Sequence, residues 1–129
     1  MESLNRYGVI AGRILIAVLF LHESWFKITH LGPTITYMAQ YGLPAILLPG
    51  ALFVELFGGL SLIFGVGLRY AESLLALFCA STALIFHMDW SDANQLLHFE
   101  KDFALAGALL IIAAREWAGV KSAIPFYET

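Results

Sequence analysis

Two charged residues, Arg13 and Glu55, lie within apolar stretches of the sequence. Arg13 is followed by ILIAVLFL, and Glu55 is preceded by ALFV. A charge inside a bilayer is costly, so such a group faces the protein interior and pairs, or an acid takes up a proton. We therefore expect Arg13 and Glu55 to face the interior of a helix bundle, where they pair or Glu55 is protonated. The two residues form either a salt bridge that fixes helix register or a proton or ligand site.

The histidines raise the question of a metal or haem site. His22 and His87 both fall near the ends of apolar segments, but no H-E-x-x-H or other metal-binding spacing is present. We predict no metal site and interpret these imidazoles as hydrogen-bonded groups at the membrane interface. His98 and Asp102 are four residues apart, so the carboxylate is placed either to orient the imidazole as a proton acceptor or to act as a plain helix cap.

The single cysteine, Cys79, limits the redox chemistry of the chain. One thiol can form no internal disulfide, no C-x-x-C pair and no cysteine-ligated cluster. The sequence therefore predicts no intrinsic cofactor.

Composition places these residues in a membrane protein. The chain of 129 residues is 60% hydrophobic and only 13% charged, whereas soluble domains are about a quarter charged. A mean hydropathy of +0.78 means that lipid must cover part of the surface. With a formal net charge of −3, the chain has no basic stripe for binding phosphates, which argues against a nucleic acid partner.

The apolar pattern predicts an all-α integral membrane four-helix bundle in a single domain, residues 1–129. A spanning helix needs about 20 mostly apolar residues. The segment 28–43 contains Pro33 and Gly42 at positions typical of a helix start and end, which predicts a short interfacial helix between the first and second spans. The four predicted spans are residues 7–27, 45–68, 70–88 and 99–117.

The distribution of basic residues predicts the orientation. With four spans, both termini share a side with the turn near residue 67, and an excess of Lys and Arg marks the cytoplasmic side. The apolar stretch after residue 7 has no small-residue cleavage site, so we expect an uncleaved first helix. Both termini are therefore predicted to be cytoplasmic. That side would carry Arg6, Arg69, Arg115 and Lys121, against Lys27 and Lys101 on the other.

The order of these residues resembles that of the DoxX family of small four-helix bacterial inner-membrane proteins. The resemblance is carried by Arg13, LFLHESWFK at 19–27, ELFGG at 55–59 and HFEKDFALAG at 98–107. One departure is Ser24, where the family usually has glycine. The family's polar positions correspond to Arg13, Lys27, Glu55, His87 and Lys101.

The resemblance implies a subunit that supports electron transfer at the quinone pool, by binding quinone or by anchoring a redox partner protein. Relatives include a subunit of a thiosulfate:quinone oxidoreductase. The implied contacts to a quinone or similar ligand are Lys27, His22, His87 and Lys101, with Glu55 and Arg13 as proton relay candidates. Beside the lipid bilayer, the expected partners are a redox protein or further copies of the chain in a homo-oligomer.

Two other functions stay open at this point. A small transporter or proton-conducting protein would use Arg13 and Glu55 as a gated charge pair, although the inverted repeats and broken helices typical of transporters are not apparent. A structural scaffold of a membrane complex would use its buried charges only to fix packing.

Overall fold

The computed structural model describes residues 2–119, and these form helices and no strand. The predicted all-α class is therefore confirmed for this part of the chain. Lys121 lies outside the described residues, so its contribution to the orientation stays a prediction. The helices are α1 (Glu2–Thr29), α2 (Leu31–Gln40), α3 (Leu48–Phe64, after a 3-10 turn at Ala45–Leu47), α4 (Leu68–Phe86) and α5 (Ala93–Trp117).

Three segments are long and apolar enough to cross a membrane: Ser3–Thr29, Ala45–Phe64 and Leu68–Phe86. They correspond to the first three predicted spans. The fourth predicted span falls within α5, which has 25 residues and so exceeds the roughly 20 that a bilayer requires. Charged residues near both ends of α5 lower its hydropathy.

Local signals explain where the helices end. α3 ends at Phe64, four residues before the predicted limit, because the next residue, Gly65, has a left-handed φ of 73°. Glycine takes this conformation at little cost, which makes it the usual residue there. α5 begins six residues before the predicted start of the fourth span. The cause is Asp92. Its carboxylate accepts a hydrogen bond from the Asn94 N–H at 2.9 Å and so caps the start of the helix.

The helices pack in sequence, α1 against α3, α3 against α4, and α4 against α5, while α1 and α5 make few close backbone approaches. Two consecutive glycines place α3 between its neighbours. A Cβ on Gly58 would lie 2.5 Å from the Leu75 side chain of α4, and one on Gly59 would lie 2.9 Å from Leu21 of α1. A larger residue at either position would force the facing leucine side chain, or the helix that carries it, to move. By contrast, a Cβ added at Gly8 or Gly12 would have no neighbour within 4 Å, so these two glycines make no close helix contact within residues 2–119.

An apolar layer fills the middle of the bundle. Ala17 and Phe20 of α1, Leu62 of α3, Leu75 of α4 and Leu109 of α5 are all buried in one cluster. Many large apolar side chains instead point outward from every long helix, as expected for a surface that lipid solvates.

α2 confirms the predicted short helix between the first two spans. It begins two residues before Pro33, and the chain turns at Gly42 with a φ of 76°. The Tyr37 and Tyr41 rings pack on Phe86 at the end of α4, with ring centroids 5.3 and 4.9 Å apart. The helix therefore reaches from the end of α1 to the end of α4.

Candidate functional site

A buried ion pair joins α1 to α3. The Lys27 ammonium group contacts Glu55 Oε1, and it also lies 3.3 Å from Glu23 Oε2 one helical turn earlier. The Glu55 side chain is 0% exposed, and its second oxygen, Oε2, has no hydrogen-bond partner within the described residues. Glu23, Lys27 and Glu55 are called the Lys27 cluster below.

One buried face of α1 leads to Lys27. Arg13, Phe20 and Ser24 are all buried, as expected for residues seven and eleven positions apart on a helix. The Ser24 hydroxyl, at the position where the family usually has glycine, donates to the Phe20 carbonyl at 3.0 Å. It is therefore satisfied within its own helix and makes no hydrogen bond to the cluster.

Arg13 and Glu55 both face the interior as predicted, but the predicted pair between them is wrong. The Arg13 guanidinium group lies beside Gly65, because a Cβ there would be 3.2 Å from it. Gly65 is ten positions after Glu55, which corresponds to about 15 Å along a helix axis. The two charges lie at different depths, and Glu55 pairs with Lys27 instead.

Glu72 is a buried acid that the sequence did not lead us to expect. Arg69 lies three residues before Glu72 in the sequence, a spacing that favours a surface pair, but the Glu72 side chain is 0% exposed. Glu72 lies on the same face of α4 as Leu75, Ala76 and Cys79, which are all buried. Their spacing of three, four and seven residues from Glu72 is the sequence pattern that could have predicted its burial. Its charge acts on Arg13, as does that of Glu116 near the end of α5. Arg13, Glu72 and Glu116 are called the Arg13 cluster below.

His87 occupies a half-buried polar position where α4 meets α5. Its Nδ1 lies 3.1 Å from Gln95 Oε1, and its ring stacks on His98 at 5.1 Å. Asp102, predicted to orient His98, instead approaches His87 Nε2 at 3.8 Å, which is too long for a hydrogen bond. Gln95 is a partner of His87 that no sequence motif indicated.

The remaining predicted contact residues are less central. His22 and Lys101 are both exposed, and neither forms a hydrogen bond within residues 2–119. In that same part of the chain no three His, Cys, Asp or Glu residues are grouped to hold a metal ion.

The buried charges thus form two clusters at opposite ends of the bundle, with the apolar layer between them. The Lys27 cluster offers a cation and a carboxylate oxygen for interaction with a polar group. The Arg13 cluster combines a guanidinium and a carboxylate that have no hydrogen-bond partner among the described residues. Within residues 2–119, no chain of polar side chains joins the two clusters through the layer that contains Leu62, Leu75 and Leu109.

Long apolar helices packed around buried ion-pairing residues define a helical, multi-span membrane protein. The comparison with known families agrees with this class, because the pattern of the DoxX family matches residues 8–88. The chain belongs to the DoxX family. The matched region runs from α1 to the end of α4 and includes Arg13, Lys27, Glu55, Glu72 and His87.

Two Escherichia coli K12 proteins are similar to this chain. Inner membrane protein YqjF is 34% identical over 113 residues, which cover 88% of this chain and 87% of YqjF. Inner membrane protein YphA is 25% identical over 112 residues, which cover 81% of this chain and 80% of YphA. No solved structure matches the chain significantly.

Proposed function

We propose that this chain is a four-span bacterial inner-membrane protein that binds a quinone head group at the Lys27 cluster and supports electron transfer by a redox partner protein. The two inner-membrane relatives support the location. The basic residues of the sequence favour cytoplasmic termini. In that orientation the Lys27 cluster lies toward the periplasmic side.

The proposal that α5 is the fourth span is supported by its course beside α4. Trp117 Nε1 donates to Ser73 Oγ at 3.3 Å near the start of α4. At the other end of the pair, His98 stacks on His87. α5 therefore accompanies a membrane-crossing helix along its full length, and the exposed side chains of Leu110 and Ile111 face away from the protein.

The observation that carries the quinone proposal is that the Lys27–Glu55 ion pair has one further hydrogen-bond donor and one further acceptor. A lysine ammonium has three N–H donors, and two are directed at Glu23 and Glu55. The third is available to donate to a quinone carbonyl. Glu55 Oε2, buried and without a partner among the described residues, is placed to accept from a quinol hydroxyl.

Two features of the surroundings suit such a ligand. Close backbone contacts between α1 and α5 are few, and in this proposal a lipid-soluble ring reaches Lys27 from the bilayer between these two helices. His87 and Asp102 lie at the corresponding end of the α4–α5 pair and provide groups able to exchange protons. Quinone reduction to quinol takes two electrons and two protons, and the redox partner supplies the electrons.

The alternative based on Arg13 and Glu55 as a gated pair loses its support, because the two residues do not pair. The scaffold alternative makes a different prediction from quinone binding. A scaffold needs the Lys27–Glu55 pair only for assembly, so a variant that keeps the fold would keep the function.

The test is quinone binding by the purified protein. We expect lipid extracts of the wild-type protein to contain quinone, and decylubiquinone added to protein in quinone-free nanodiscs to raise its melting temperature. Replacement of both charged partners, Lys27→Met with Glu55→Gln, leaves the net charge of the cluster unchanged and should abolish both effects. Arg115→Met, which removes an exposed basic residue at the other end of α5, is the matched control. Wild-type protein without copurified quinone and without a response to decylubiquinone would contradict the proposal.

A further inference from the structure

The Arg13 cluster contains a buried cation without a bound acceptor. Arg13 is 1% exposed, and its Nε and both terminal nitrogens have no hydrogen-bond partner within the described residues. Arginine stays protonated in proteins and has only donors. A charge buried in this state is costly, so acceptors must reach it.

Glu72 presents the complementary problem. It is 0% exposed, and neither carboxylate oxygen has a donor in the part of the chain that the structure describes. The Glu72 carboxyl group interacts electrostatically with Arg13 of α1 and Glu116 of α5. Gly65, which follows α3, lies against the Arg13 guanidinium group and carries no charge. The cation and the carboxyl group are therefore neighbours that do not form a direct hydrogen bond.

A water molecule and a proton on Glu72 would together satisfy the buried groups of Arg13 and Glu72. A water molecule donates to carboxylate oxygens and accepts from guanidinium N–H groups, and buried waters typically satisfy polar groups that lack protein partners. A proton on Glu72 removes the cost of a buried negative charge and its repulsion with the Glu116 carboxylate.

We propose that the Arg13 cluster is a hydrated proton-binding site, in which Glu72 takes up and releases the proton and Arg13 is the fixed counter-charge. This site is separate from the Lys27 cluster, because the apolar layer lies between them. It therefore does not depend on quinone binding. A purely structural role would leave Glu72 either in a direct ion pair with Arg13 as an ionised carboxylate or permanently protonated without proton exchange.

Infrared spectroscopy of the full-length protein in lipid vesicles distinguishes these states. We expect wild-type protein at neutral pH to show a protonated carboxyl C=O band that shifts in D₂O. The band should be absent from Glu72→Gln and retained in Glu55→Gln, which removes the buried carboxyl of the other cluster. If Glu72→Gln does not fold, Glu72→Asp keeps the carboxyl group and should move the band.

Three results would overturn the proposal. The first is a wild-type spectrum in which Glu72 contributes only carboxylate bands, as a direct ion pair predicts. The second is a carboxyl band that neither Glu72→Gln nor Glu72→Asp alters. The third is a Glu72 band that stays unshifted after prolonged exposure to D₂O, since a hydrated site exchanges its proton. Quinone binding measured on the same preparations is expected to be unchanged in Glu72→Gln, so the two proposals fail independently.

Discussion

The Lys27 ammonium at the C-terminal end of α1 is paired with the fully buried Glu55 carboxylate of α3. This relationship connects two spans close to one end of the bundle, where the exposed Glu23 carboxylate also reaches the same ammonium group. Lys27 therefore offsets the cost of burying the Glu55 carboxylate.

Removing one member of this pair should destabilise the protein strongly. Lys27→Met leaves a buried carboxylate without its cation, which typically costs about 3–5 kcal/mol. Adding Glu55→Gln should restore much of the loss because no unpaired charge remains. Thermal unfolding in detergent measures both effects. Lys101→Met, at an exposed lysine, should be close to neutral, and a Lys27→Met protein as stable as wild type would show that the ion pair contributes little.

The glycines between the helices give a second prediction. Gly58→Ala places a methyl group against Leu75, so we expect overpacking to cost about 1–3 kcal/mol. Leu75→Val in the same chain should recover part of this loss. Gly107→Ala in α5 is the matched control, because nothing lies within 4 Å of its added Cβ and alanine favours a helix. Equal melting temperatures for Gly58→Ala and Gly107→Ala would contradict the packing argument.

Gly65 and Gly67 differ in one respect that a pair of substitutions can isolate. Both have left-handed backbones, with φ of 73° and 66°, but only Gly65 faces Arg13. Alanine at either position costs about 1–2 kcal/mol from the backbone alone. Gly65→Ala should be the more destabilising, because its methyl group must also displace a buried guanidinium. A larger effect at Gly67 in chemical denaturation would argue against close contact between Arg13 and the α3 end.

Cysteine labelling tests the orientation and the fourth span together. In a Cys79→Ala background, single cysteines replace Thr29, Val66, Ser91 and Ala118. We expect a membrane-impermeant maleimide to label Thr29→Cys and Ser91→Cys in cells with a permeabilised outer membrane. Val66→Cys and Ala118→Cys should react only after the inner membrane is opened. Labelling of Ala118→Cys together with Ser91→Cys would show that α5 does not cross.

The sequence predicted the burial of Arg13 and Glu55 because any fold in a bilayer must keep such charges from lipid. Their partners were harder to predict. Glu55 lies only seven residues after α3 begins at Leu48, about 10 Å along the axis. This places it near the end of the bundle where Lys27 lies, and not at the depth of Arg13. The burial of Glu72 was not predicted because the nearby Arg69 offered a local partner.

The sequence by itself determined the helical class, the apolar segments, the buried face of α1 and the family, because hydropathy, periodicity and residue order act locally along the chain. Only the tertiary structure decided that Lys27 pairs with Glu55, that Arg13 lies beside Gly65, and that Glu72 is enclosed. Those contacts depend on the relative depth and neighbours of separate helices. Depth and neighbours are set by side-chain packing, such as that at Gly58 and Gly59, which no single helix specifies.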